Sequence, residues 1–147
     1  MDGIFGWLGE HGAPQDLIQH MAKAARLSPD SALDSQASPA FGVAGASRFG
    51  KAGLHVEGGL AVACFGRPSF DDAELAATAH ARSPAAALVQ GWRRFGEHLP
   101  PHVQGNFAFV VLEPSNGQAF LALDRVGAER LCYAKRGGQF VFGSSVQ

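Results

Sequence analysis

NFAFVVLE (106–113), PSNG (114–117) and QAFLALD (118–124) are the stretch that decides how this chain folds. The first run is apolar almost throughout. Asn116-Gly117 is the strongest short-range hairpin signal a sequence carries. The third segment returns as an antiparallel partner. Beyond it, Leu131–Lys135 reads as a third strand, Gly137-Gly138 as a second tight turn, and Gln139–Gly143 as a fourth strand. These runs are apolar on both faces. A strand buried on both sides needs cover on both sides, from another sheet or from helices.

Working back toward the N-terminus, Ser83-Pro84 is a helix start, with Ser as N-cap and Pro at the first helical position. Leu88, Val89, Trp92 and Phe95 then form one helical face that ends before Pro100. A second helix is expected near Asp71–Arg82, with Ser69 placed as its capping residue. Leu60–Phe65 and Phe41–Arg48 read as short strands rich in small residues, with Gly58-Gly59 a turn before the former. Ser28–Pro39 is rich in Ser, Pro, Asp and Ala and reads as a loop. Pro14 suits a first helical turn. Leu17, Ile18, Met21 and Ala25 continue one apolar stripe to about Leu27. Residues 3–8 suit a buried strand.

At 147 residues, with 46% hydrophobic and 17% charged side chains, the chain is one globular domain or part of one. A net charge of −1 gives no reason to expect nucleic acid or an anionic membrane as partner. No apolar run is long enough to span a bilayer. No basic segment followed by an apolar one opens the chain, so the expected location is cytoplasmic. Cys64 and Cys132 lie in apolar runs and read as two buried, reduced thiols rather than a disulfide or a metal site. His98 and His102 have a ligand-like gap, but Pro100 and Pro101 separate them. All six histidines read as surface or boundary residues and no metal is expected.

The opening residues, Met1-Asp2-Gly3-Ile4-Phe5-Gly6, resemble the start of a class II glutamine amidotransferase domain of the N-terminal-nucleophile type. That family begins Met-Cys-Gly-Ile-Phe-Gly. The likeness is strongest over residues 104–145. Gly105-Asn106-Phe107-Ala108-Phe109 is similar to the family's Gly-x-Phe-Ala-Phe strand. Phe120–Gly127 is similar to its Leu-Ala-Arg-Asp-Arg-x-Gly hairpin. Leu131-Cys132-Tyr133 is similar to Pro-Leu-Tyr-Tyr, and Phe140–Ser145 to Phe-Ala-Ser-Glu. Order and spacing together point to asparagine-synthetase-like proteins. At Asp124 and Arg125 the residues themselves suggest a structural role, as a local ion pair or a turn holder.

The resemblance also marks what has changed. In the family a Cys thiol attacks glutamine and its own α-amine is the base. Here Asp2 occupies that position. A carboxylate is a far weaker nucleophile toward an amide and forms no thioester. Met1 is not expected to be trimmed before Asp, so the free amine is lost as well. The family's Arg-Gly-Pro-Asp loop survives only as Ser28-Pro29-Asp30. Its carboxylate-holding Arg aligns with Arg48, a guanidinium suited to an anion or simply a surface arginine. Its Asn-Gly oxyanion hole aligns with Phe65-Gly66. Gly66 could keep a backbone donor, whereas Phe65 donates nothing, and one lost donor costs about 2.7–4 kcal/mol in the transition state. The family's amine-gripping Asp falls near Ser83–Ala86, where nothing is acidic.

The resemblance implies an α+β fold, a four-layer αββα sandwich of two antiparallel sheets with flanking helices, truncated at its C-terminus. Residues 1–147 are taken as one degenerate domain, short of the family's length. The implied role is a non-catalytic partner of an ATP-dependent amide-forming ligase, similar to the disabled domains of β-lactam synthetases and lasso-peptide cyclases. Arg48 and Gly66 would be vestiges of a substrate site. No cofactor is expected in this chain; ATP and Mg belong to an associated synthetase domain. A homodimer through an exposed sheet edge is a further expectation. Two alternatives stay open: a stand-alone structural or binding module, and a fragment of a glutamine-hydrolysing asparagine synthetase.

Overall fold

The computed structural model describes residues 3–24, 32–47, 52–127 and 130–144. In chain order the elements are β1 (Gly3–Leu8), α1 (Pro14–Ala24), β2 (Ala32–Ser38), β3 (Phe41–Ser47), β4 (Ala52–Glu57), β5 (Leu60–Gly66), β6 (Ser69–Phe70), α2 (Ala73–Ala81) and α3 (Pro84–Phe95). Then follow β7 (Val103–Gln104), β8 (Phe107–Glu113), β9 (Gln118–Leu123), β10 (Cys132–Arg136) and β11 (Gln139–Gly143). A five-stranded sheet runs β10-β11-β1-β3-β2, and a four-stranded sheet runs β4-β5-β8-β9. A small ribbon pairs β6 with β7. Every pairing is antiparallel.

Three apolar clusters fix the stacking. Ile4, Val43 and Phe142 of the five-stranded sheet meet Ala61, Ala63, Val110 and Leu112 of the four-stranded one. The other face of that second sheet, through Val62, Phe109 and Val111, packs on Leu75, Leu88 and Val89 of the helices. The outer face of the first sheet, through Phe5 and Trp7, packs on Ile18 of α1. The order is therefore helix, sheet, sheet, helix pair: the four-layer αββα sandwich of an α+β fold. β8 shows why the opening stretch governs it. Its residues alternate between the inter-sheet core and the helix side, and Phe107–Leu112 are all buried. Each such side chain contributes about 1.5–3 kcal/mol relative to leaving it in water.

The hairpin after β8 forms as expected. A short 3-10 turn over Pro114–Asn116 ends on Gly117 in the left-handed region, φ 64°. Helix α3 starts as expected too: Ser83 Oγ accepts from the Ala86 N–H at 3.0 Å and Pro84 opens the helix. For α2 the cap differs. Ser69 pairs with Gln104 in the ribbon. Asp72 is the N-cap, and its Oδ1 accepts from Glu74 N–H at 3.0 Å and Leu75 N–H at 3.1 Å. These bonds, foremost that from Leu75, with nearby Arg94, hold the Asp72 carboxyl below its ordinary value.

Three other expectations are corrected. The stretch read as a loop contains β2, which pairs with β3 from Ala32↔Ser47 to Ser38↔Phe41. It is an edge strand whose side chains are mostly exposed, so its ladder comes from the backbone and its polar composition hid it. β4 was not anticipated either; it pairs with β5 from Ala52↔Phe65 to Glu57↔Leu60. Cys132 is exposed, not buried: it lies on β10, the outermost strand of its sheet. Cys64 is buried, and desolvation pushes its thiol up to about 12. Both thiols are free. The expected extension of the first helix to Leu27 lies outside the described residues. No helix among the described residues is long and apolar enough to cross a membrane.

Candidate functional site

The antiparallel register gathers three strand ends along one margin of the five-stranded sheet. β1 begins where β3 and β11 finish: Gly3 is opposite Ala46, and Phe5 is opposite Gly143. Ser144 ties this corner. Its Oγ accepts from the Ile4 N–H at 2.8 Å, and its own N–H donates to the Ile4 carbonyl at 2.8 Å. A Cβ on Gly3 would collide with that hydroxyl, so a small residue at position 3 and a short polar one at 144 fit as a pair. Ser47, at the end of β3, is buried. Asp2 and Arg48 adjoin this margin in sequence but lie outside the described residues, as do Ser28, Pro29 and Asp30.

Phe65 and Gly66 close β5. Phe65 is half-buried and packs against the inter-sheet core, where Ile4, Ala63 and Val110 also lie. Phe65 is therefore a hydrocarbon anchor of the sheet interface. Gly66 has φ +100°, and a Cβ there would overlap the Asn106 carbonyl oxygen and stand 3.1 Å from Phe107 Cα. The neighbouring Arg67 N–H donates to that same carbonyl at 2.8 Å. Glycine is thus required here by the backbone itself. Its persistence needs no oxyanion to explain it.

Ser83–Ala86, aligned with the family's amine-binding acid, forms the start of α3. Ser83 Oγ is spent on the helix cap, and Ala85 and Ala86 are buried. Asp124 is structural. Its Oδ2 accepts from the buried Phe107 N–H at 3.1 Å, and its Oδ1 accepts from Val126 N–H at 3.0 Å and Gly127 N–H at 2.8 Å. It holds the turn that leaves β9, the role read for it in the sequence; Arg125 beside it is exposed. Of the histidines, His102 stacks on Phe95 at 4.0 Å and its Nδ1 lies 2.9 Å from Asp71 Oδ1, while His98 is exposed. Among the described residues no three His, Cys, Asp or Glu side chains come together as a metal site.

One described cavity region escaped sequence reasoning. It lies at the far end of β1, around Leu8, Lys135 and Phe140. No periodicity or spacing could have shown it, because its walls come from five separate stretches of the chain.

Two face-to-face antiparallel sheets with helices outside, and a first strand that begins at the mouth of the sandwich, define an N-terminal-nucleophile-type α+β domain. The chain belongs to the glutamine amidotransferase domain family, which matches residues 71–147. It is also similar to asparagine synthetase [glutamine-hydrolyzing] 3 of Bacillus subtilis (strain 168), with 32% identity over 65 residues. That match covers 44% of this chain and 11% of the relative.

Proposed function

We propose that this glutamine amidotransferase domain has lost glutamine hydrolysis and serves as the structural half of an ATP-dependent amide-bond-forming enzyme of the asparagine-synthetase kind. The observation that carries the reading is Phe65. A phenyl ring has no amide to donate in any rotamer, and this one is packed against the inter-sheet core as part of the framework. Asp2 at the nucleophile position removes the thiol. Met1 ahead of it removes the free amine. The losses are independent, and the framework does not need any of the lost groups to fold. The partner would be an ATP-binding synthetase domain, in the same or a separate chain, and ATP and Mg would bind there.

Macrolactam- and β-lactam-forming enzymes offer a functional parallel, since they combine a synthetase with a disabled amidotransferase domain. Ammonia release from glutamine is the direct measurement. The chain should give none above buffer. Asp2→Cys should give none either, because a restored thiol still lacks its oxyanion donor and amine-binding acid. Ammonia from that single variant refutes the reading.

A further inference from the structure

The sandwich is closed along one side and open along the other. β2 and β4 pack together where the chain passes between sheets. On the opposite side, β9 and β10 are outer strands, and a cleft lies between them. It has two adjoining lobes of about 470 and 560 Å³ that share Leu8, Lys135 and Phe140. Each is within the range of roughly 300–1,000 Å³ typical of ligand sites. This cleft is at the far end of β1 from Asp2, so it is separate from the family's glutamine site, and the inference does not depend on the function proposed above.

Its chemistry is specific. The floor is apolar, from Leu8 and Phe140. Trp92 and Phe120 form a tilted ring pair with centroids 4.9 Å apart. Glu113 is fixed beside them, accepting from Trp92 Nε1 through one oxygen and from Asn116 Nδ2 at 2.8 Å through the other. Glu97 lines the same lobe, exposed, with no hydrogen bond or ion pair among the described residues. Among the described residues the lining holds the carboxylates of Glu10, Glu97 and Glu113 against the ammonium of Lys135. Aromatic rings with adjacent carboxylates attract an organic cation. In addition, among the described residues β9 pairs only with β8, so the other backbone edge of Gln118–Phe120, which borders the cleft, is a free strand edge there. A free edge of this kind accepts an added strand.

We infer that this cleft binds an extended peptide segment carrying a basic side chain. The segment pairs with the free edge of β9, and its cation sits against Trp92 and Phe120 beside Glu97 and Glu113. Lys135, on the opposite wall, disfavours a second basic residue next to the first.

The probe is the peptide acetyl-Thr-Val-Lys-Val-Thr-amide, followed by tryptophan emission and backbone amide NMR. Trp92 is the reporter; Trp7 is fully buried beneath α1 and serves as a constant background. The expected result is a saturable change, with amide shifts centred on Gln118–Phe120. Replacing the peptide's Lys by Glu should weaken binding by at least roughly tenfold, and Glu97→Gln should weaken the Lys peptide by a similar factor. Backbone N-methylation of the peptide should abolish binding. The inference fails if the Lys peptide shows no saturation at millimolar concentration, or if the Glu peptide binds equally. It also fails if the shifts fall on Cys132–Arg136 or Gly3–Phe5, or if a second copy of the chain fills the cleft, seen as concentration-dependent mass with the same shifts and no peptide.

Discussion

Gly66→Ala separates two explanations for the glycine that closes β5: the close approach of Asn106, and a backbone donor kept for an oxyanion. At φ +100° an L-residue carries a backbone penalty of about 1–2 kcal/mol. The new Cβ would also overlap the Asn106 carbonyl oxygen, which is backbone and cannot swing away. Forcing an atom into such a space typically costs about 1–3 kcal/mol. The sum is about 2–5 kcal/mol, a large share of the roughly 5–15 kcal/mol by which domains are stable. Gly59→Ala is the matched control. Its φ is +81° and a Cβ there meets nothing within 4 Å, so it should lose the backbone penalty alone. Urea unfolding followed by circular dichroism reads both. At a mid-range slope of about 2 kcal/mol per molar urea, Gly66→Ala should move the midpoint down by roughly 1–2.5 M and Gly59→Ala by roughly 0.5–1 M. Equal losses in the two variants would refute the reasoning. Close packing would then not explain the glycine, and a surviving backbone donor would become the better account.

Other outcomes follow from the same geometry. Asp124→Ala strips the Phe107 and Val126 N–H groups of their acceptor, while Gly127 N–H keeps the Asp124 carbonyl at 3.1 Å; the buried Phe107 N–H cannot turn to water. A loss of about 2–4 kcal/mol in urea unfolding is expected, against under about 0.5 kcal/mol were it an ordinary surface residue. Ser83→Ala should cost about 0.5–2 kcal/mol by uncapping α3, and Ser83→Asp should recover most of it. A thiol reagent should titrate Cys132 in the native protein and reach Cys64 only after unfolding. Burial raises the Cys64 thiol from 9.0 to about 12, so the unfolded chain gives up that proton at lower pH than the folded one. Stability contributed by this group is complete below pH 9.0 and lost as pH rises toward about 12, readable as a falling melting temperature across that window.

Much of the architecture was legible because burial imposes period and punctuation. Phe107–Leu112 could only be a strand covered on both faces, and Ser83-Pro84 could only open a helix. The elements that escaped notice are held by something composition does not record. β2 has few apolar residues because it is an edge, and its pairing with β3 uses main-chain groups common to all residues. Ser69 looked like a cap because it precedes an acid at the right interval, yet Asp72 is closer to the helix and has the better acceptor. Cys132 looked buried because its neighbours are apolar, but it lies on the outermost strand of its sheet. That Phe65 offers no polar group was readable from residue type. That its ring anchors the sheet interface was not, since this depends on which face of β5 it shares with Ala63. The cleft between β9 and β10 left no trace in the sequence.

Consider finally that β8, the strand most thoroughly enclosed, offers only hydrocarbon from Phe107 to Leu112. What holds this molecule upright is therefore hydrocarbon packed out of reach of water. Polar residues at the strand ends and in the turns can be exchanged while that interior stands. One framework can in this way present quite different chemistries at its margins.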